Sequence, residues 1–370
     1  MRADIKIPAP RRLELLDSVR FLAVMMVMMF HYTFNGIVNG KITSIGQESW
    51  LVEFTKYGYL GVELFFMISG YVIFFSAQSG SASKFAVSRA LRLYPAYWFA
   101  VFFTSFFAFF WGGELMSVTP MMVLVNLTML QSFLGVSDVD GAYWTLVYEI
   151  KFYAAIFVVL LIGAQKHLRK ILVCWPILFC ISLLLGQEER TYAGGYYYYF
   201  CAGALFAVLK DRFDWRVMVI LLVNFVLCIT SSSGKAAELT LAKSSAYSGA
   251  VIGMLVSSFF VLFVLQNFKS MQEVSIPYSK ILGSLTYPIY LVHAHFGYIL
   301  LNKFANEANK VLIYPLVIVV VLAVAYAINR FIEVRFAVFW RGIFNSTLGR
   351  LTEAVQAKVK GALHRKRPPL

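Results

Sequence analysis

The chain has 370 residues, of which 60% are hydrophobic and only 14% charged, with a mean hydropathy of +0.71; that composition excludes a water-soluble globule. Long apolar runs, in place of alternating ten-residue segments, exclude an outer-membrane barrel and leave an all-α polytopic membrane bundle. The net charge of +14 sits at the ends of apolar runs and in the basic C-terminal stretch, so it reports topology and a membrane-surface tail and not nucleic acid.

The N-terminus opens with Arg2, Lys6, Arg11 and Arg12 and runs into RLELLDSVRFLAVMMVMMFHYTF. No A-x-A cleavage signal follows, so this is expected to be an uncleaved first span. On a helix turning about 100° per residue, Asp17, Arg20 and His31 fall near one face, with His31 about 16 Å beyond Arg20. With Arg20 at the inner interface, that depth puts the imidazole inside hydrocarbon, where an ionisable group is a functional candidate. A histidine merely satisfied by a neighbouring helix fits position alone equally well.

Ten further apolar segments follow: 58–77, 93–111, 118–134, 143–163, 171–186, 196–209, 217–231, 246–266, 281–301 and 311–332. Positive clusters at Lys84/Arg89/Arg92, Lys166/Arg169/Lys170, Lys210/Arg212/Arg216, Lys269/Lys280 and from Arg330 onward should all face the cytoplasm. If every segment crossed, the first two clusters would lie on opposite sides. The weakest of the three segments between them is VTPMMVLVNLTMLQSFL at 118–134, with Pro120, Asn126, Thr128 and Gln131, and it is expected to be re-entrant or interfacial. The expectation is about ten spans, one re-entrant segment and both termini cytoplasmic. The domains are then a transmembrane unit at 1–335 and a basic cytoplasmic tail at 336–370. Cys174, Cys180, Cys201 and Cys228 lie in apolar stretches without metal or redox spacing and read as core residues.

Three later stretches carry polar chemistry. In SKFAVSRALRLYPAYW at 83–98, Arg89 and Arg92 are three apart on the cytoplasmic approach to a helix, and two guanidinium forks suit phosphate, although positive-inside anchors are the common explanation. In GAYWTLVYEIKFY at 141–153, Glu149 lies about 25 Å above Lys166, deep enough that it must face protein or water. In LGSLTYPIYLVHAHF at 282–296, His293 reaches a comparable depth, while His293 and His295 point about 160° apart and make a poor metal pair. No metal site is expected. HExxH, GxxxxGK[ST] and GxSxG are absent from the sequence, which withdraws support from zinc hydrolysis, P-loop chemistry and a nucleophile elbow.

These stretches together resemble the acyltransferase-3 family of bacterial integral membrane acyltransferases, which O-acetylate surface polysaccharides and related glycans. The resemblance rests on LDSVRFLAVMMVMMFHY (16–32), GVELFFMISGYVI (61–73), SRALRLYPAYW (88–98), WTLVYEIKFY (144–153) and SLTYPIYLVH (284–293). It implies a multi-pass protein of the bacterial cytoplasmic (inner) membrane that moves an acyl group, by family habit acetyl, from cytoplasmic acetyl-CoA to an extracytoplasmic glycan hydroxyl. It further implies His31 as the catalytic histidine, Glu149 as the carboxylate of the WTL motif, and Arg89 and Arg92 as coenzyme-binding residues. Ser69 and Gly70, with Gly61, are small enough to leave a channel for a pantetheine arm, and also ordinary close-packing residues. Asp17, Arg20, Tyr153, Tyr290 and His293 stand as supporting residues. The family's optional extracytoplasmic esterase-like domain is not expected here, and the partners the resemblance implies are acyl-CoA, a glycan acceptor, membrane lipids and, if needed, separate polysaccharide-assembly proteins.

The chemistry of thioester alcoholysis agrees, since it needs a base for the hydroxyl, an anchor for the coenzyme phosphates and donors for the developing oxyanion. His31 is the expected base, with Glu149 holding its tautomer or stabilising the imidazolium. The competing class is a proton-coupled transporter or flippase with His31, Glu149 and His293 along its path, for which paired broken helices would be expected and are not evident.

Overall fold

The computed structural model describes residues 13–78 and 80–365, which form helices and connecting turns without a strand. The basic start at Arg2, Lys6, Arg11 and Arg12 and the closing residues 366–370 lie outside the described residues. Eight helices are long and apolar enough to span a bilayer: α1 (Glu14–Val38), α2 (Ser49–Gln78), α3 (Ala82–Trp111), α5 (Trp144–Leu161), α6 (Gln165–Leu184), α8 (Trp215–Lys243), α9 (Gly249–Asn267) and α12 (Lys310–Val334). Two more elements complete the bundle. One is α7 (Tyr197–Asp211), whose side chains from Tyr197 to Leu209 are all buried. The other is a helix interrupted at His293, α10 (Ser279–Val292) followed by α11 (Ala294–Phe304). With the eight candidate spans these make ten principal helical elements among the described residues, and α7 is short where protein surrounds it.

Local chemistry sets several starts. The Ser81 hydroxyl accepts from the Lys84 amide at the head of α3, and the Ser248 hydroxyl accepts from the Val251 amide at the head of α9, each satisfying a donor that the first turn leaves free. Thr119 caps α4 (Pro120–Asn126) in the same way, with proline at the first helical position, where no amide is missed.

That short α4 is the segment expected not to cross, and it enters from the Trp111 end and turns back. Its return is fixed beside α3: the Trp98 indole donates to the Leu127 carbonyl at 2.8 Å and the Tyr94 hydroxyl to the Thr128 carbonyl at 3.1 Å. Trp98 lies thirteen residues, about 20 Å, back along α3 from Trp111. Asn126, fully buried, donates to Ser137 O and accepts from Val139 N, pairing backbone that would otherwise be orphaned below the surface.

The C-terminal helices tie together the ends at which α3 and α6 begin. α13 (Ala337–Phe344) and α14 (Arg350–Arg365) fold back on the bundle. Ser83, at the start of α3, donates to Gly349 O and Glu353 Oε1, while Gln356 donates to Leu160 O at the end of α5. The starts of α3 and α6 thus share one end with the C-terminal helices. At the same end, Glu14 of α1 accepts from Ile276 N and Ser279 Oγ ahead of α10. The tail is consequently a packed element, with Phe344 seated against Val87 and Ala90.

Candidate functional site

Five elements enclose a cavity of about 770 Å³, counting its open mouth: Arg20 comes from α1, Val62 to Ile73 from α2, Arg89 to Leu93 from α3, Thr145 to Tyr153 from α5, and Thr286 to Tyr290 from α10. Its charged end is the one at which α1 and α3 begin, since Arg20 lies only six residues into α1 and Arg89 seven into α3. From Ile73 up to Val62 the wall on α2 runs about 16 Å. Three guanidinium groups thus face one lining carboxylate, Glu149. Asp17 lies behind Arg20 at 3.5 Å, and Glu333 of α12 bears on Arg92 from outside. Arg92 lies over the Tyr287 ring and Arg89 over Phe85 and Tyr153. The buried Nε of Arg89 has no protein partner. Glu149 is anchored by two hydroxyl donors, Tyr153 and, at 3.3 Å, Ser69.

Above this cavity stands a cluster of aromatic nitrogens and hydroxyls. His31 begins a wider, π-helical turn through Asn35 in α1, a distortion frequent at functional positions. Its Nδ1 is hydrogen-bonded to the hydroxyl of Tyr298 on α11, and its ring meets His293 edge-on at 5.0 Å. His293 is fully buried; its Nδ1 donates to the Tyr290 carbonyl at 2.8 Å, which leaves Nε2 an acceptor without a partner. Tyr290 connects the two regions. It lines the cavity, shares a 2.5 Å hydrogen bond with Thr145, and packs its ring 5.5 Å from His293. On the far side, Asp140 accepts from the amides of Ala142 and His295, and Lys41 Nζ bonds His295 Nε2 at 2.8 Å.

The structure therefore gathers Arg20, Ser69, Arg89, Arg92, Glu149, Tyr153 and Tyr290 around one cavity and joins His31 to His293 just beyond its Tyr290 wall. Two expectations need correction. Gly70 does not face the cavity: it sits at the α2–α7 crossing, where an added Cβ would fall on the Phe200 carbonyl, and Gly203 meets the Met67 carbonyl reciprocally. One residue turns a helix by about 100°, so Ser69 and Gly70 serve different faces; Gly61 likewise packs against the Ala23 carbonyl of α1. Second, no hydrogen bond or ion pair joins His31 to Glu149 among the described residues. Their similar depth along separate helices does not bring them together, because α10 places Tyr290 between them.

Other participants were not legible in sequence. Tyr298 reaches His31 across 267 positions, and Thr145, Thr286 and Tyr287 look like ordinary helix residues until α5 and α10 meet. Asp140 belongs to a stretch read only as a flank of the re-entrant segment. No group of side chains suited to a metal occurs among the described residues.

A family model for an acyltransferase domain matches residues 13–330, nearly the whole chain. The chain is also similar to a protein named O-acetyl transferase from Shigella phage Sf6, 26% identical over 188 residues, which is 47% of this chain and 53% of that protein. The chain thus spans about half the length of this curated relative. No solved structure matches it.

Proposed function

Because this chain belongs to the acyltransferase-3 family, we propose that it is an O-acetyltransferase that takes acetyl from acetyl-CoA at the inner face of a bacterial cytoplasmic membrane and passes it to a hydroxyl of an extracytoplasmic glycan. The observation that supports this reading best is the single cavity that has arginines at its inner end and touches the His31–His293 pair, through Tyr290, at its other end. The lining suits an acyl-CoA: three guanidiniums for phosphates, an unpartnered Arg89 Nε, and Val62, Phe65, Phe66, Val72, Ile73 and Leu93 for an apolar arm.

In this mechanism Arg20, Arg89 and Arg92 hold phosphate groups at the inner end. Glu149 is a positioning residue; it fixes the Tyr153 hydroxyl, and the Tyr153 ring supports Arg89. His31 is the general base: Nδ1 turned to Tyr298 leaves Nε2 to take the proton of the acceptor hydroxyl as that oxygen attacks the thioester carbonyl. Collapse of the adduct then breaks the C–S bond, and the imidazolium returns the proton to the departing thiolate, leaving the ester and free CoA thiol. His293, its own Nδ1 fixed on the Tyr290 carbonyl, holds the His31 ring by an edge contact.

Purified protein incubated with labelled acetyl-CoA and oligosaccharides tests the reading. Transfer of label with release of free thiol is expected, and His31→Ala should remove it. A protein that moves substrate across a membrane without any acyl transfer would support the transporter class instead.

A further inference from the structure

The outer approach to His31 contains basic groups that the acyl-donor site does not use. The titratable groups whose field reaches His31 are His293, His295, Lys41 and Lys243. Lys243, at the outer end of α8, extends its Nζ to the Asn35 side-chain oxygen at 2.8 Å, one helical turn beyond His31. Among the described residues it forms no salt bridge. Lys41 rests on His295 Nε2, which also accepts from the Gly141 amide at 3.2 Å, and Asp140, already accepting two amides, is the carboxylate that bears on Lys41. Asp140 thus bears on Lys41 alone of the two half-buried lysines. Elsewhere at this end Lys56 is matched by Glu53 at 2.7 Å and Lys310 by Glu48 and Glu307, while Lys303 and Lys235 rest on the Trp111 and Tyr196 rings.

Lys243 Nζ, held by an amide oxygen and by no acid among the described residues, is a ready partner for an anion.

Resting on the reading of the chain as an O-acetyltransferase, we infer that its acceptor is an acidic glycan, and that Lys243, one helical turn beyond His31, binds a carboxylate of the sugar presented to His31. Removing one charge-assisted hydrogen bond should cost about tenfold in discrimination.

The test offers labelled acetyl-CoA to the full chain in lipid nanodiscs with two sets of oligosaccharides matched in linkage, one of glucuronic acid units and one of glucose units. The wild type should favour the acidic set in kcat/KM, Lys243→Gln should reduce that ratio about tenfold, and Lys243→Arg should retain most of it. Acetyl-CoA binding, measured in parallel, verifies that each variant is folded. Preference for the neutral set, or a ratio unmoved by Lys243→Gln, would overturn the inference while leaving O-acetylation intact. If acetyl-CoA is consumed with neither set and no label moves to sugar, the acylation reading fails first and this inference with it.

Discussion

The inner cavity and the histidine cluster above it solve opposite problems within one bundle. The cavity keeps charge: Arg20, Arg89 and Arg92 are half-buried, lean on rings or a carboxylate, and leave donors unspent. The cluster fixes its groups on the protein's own backbone, with His293 Nδ1 on the Tyr290 carbonyl, His295 Nδ1 on the Val139 carbonyl and Asp140 on two backbone amides. Surplus donors suit a ligand that arrives with its own negative charge, whereas a proton-transfer group needs a fixed orientation and little water. Their separation by Tyr290 implies that binding and chemistry can be damaged independently.

The sharpest way to break that division is His31→Ala, expected to lower transfer by about 100-fold to 10,000-fold, the usual loss for a positioned general base, while acetyl-CoA affinity measured by calorimetry stays close to wild type. Near-normal turnover of a folded His31→Ala protein would dissolve the cluster's role. The converse variant, Arg89→Ala with Arg92→Ala, should weaken acetyl-CoA binding by about 100-fold, because two charge-assisted hydrogen bonds to phosphate disappear together. Lysine at both positions should recover little of it, because an ammonium lacks the planar fork. Unchanged affinity would return both arginines to the role of topology anchors.

Glu149→Gln sharpens the comparison at smaller scale. It keeps the shape that meets Ser69 and Tyr153 but loses the charge, and a roughly tenfold fall in kcat/KM is expected, from one charge-assisted hydrogen bond. Since Glu149 and His31 share no direct contact, the double variant should show about the product of the single losses. A double variant no worse than His31→Ala alone would mean that the two act as one unit. The smallest expected effect on chemistry comes from Gly203→Ala at the α2–α7 crossing, where the new methyl meets the Met67 carbonyl. Overpacking there should cost about 1–3 kcal/mol of stability, visible as a lowered melting temperature with donor affinity per folded molecule preserved.

Topology can be broken separately. Cysteines placed at Lys84 and Lys166 should be labelled from the same side, because Ser83 and Leu160 contact the same C-terminal helices. Opposite labelling would eliminate the ten-crossing bundle.

Much of this was legible before any packing was known, and the reason is solvent. A bilayer demands apolar segments of a fixed length and biases Lys and Arg toward one side, so the sequence by itself determined an all-helical polytopic bundle and singled out 118–134, which holds only the seven-residue helix Pro120–Asn126, as the weakest span. It also determined that Arg20, His31, Arg89, Arg92 and Glu149 need protein or water around them, because lipid cannot satisfy their charge. Which groups they meet was decided by tertiary structure alone. Helical periodicity fixes directions within one helix and carries no information about rotation or height relative to another, so Gly70 against Phe200, Tyr298 on His31 and Tyr290 between His31 and Glu149 follow from how α1, α2, α5, α7, α10 and α11 pack.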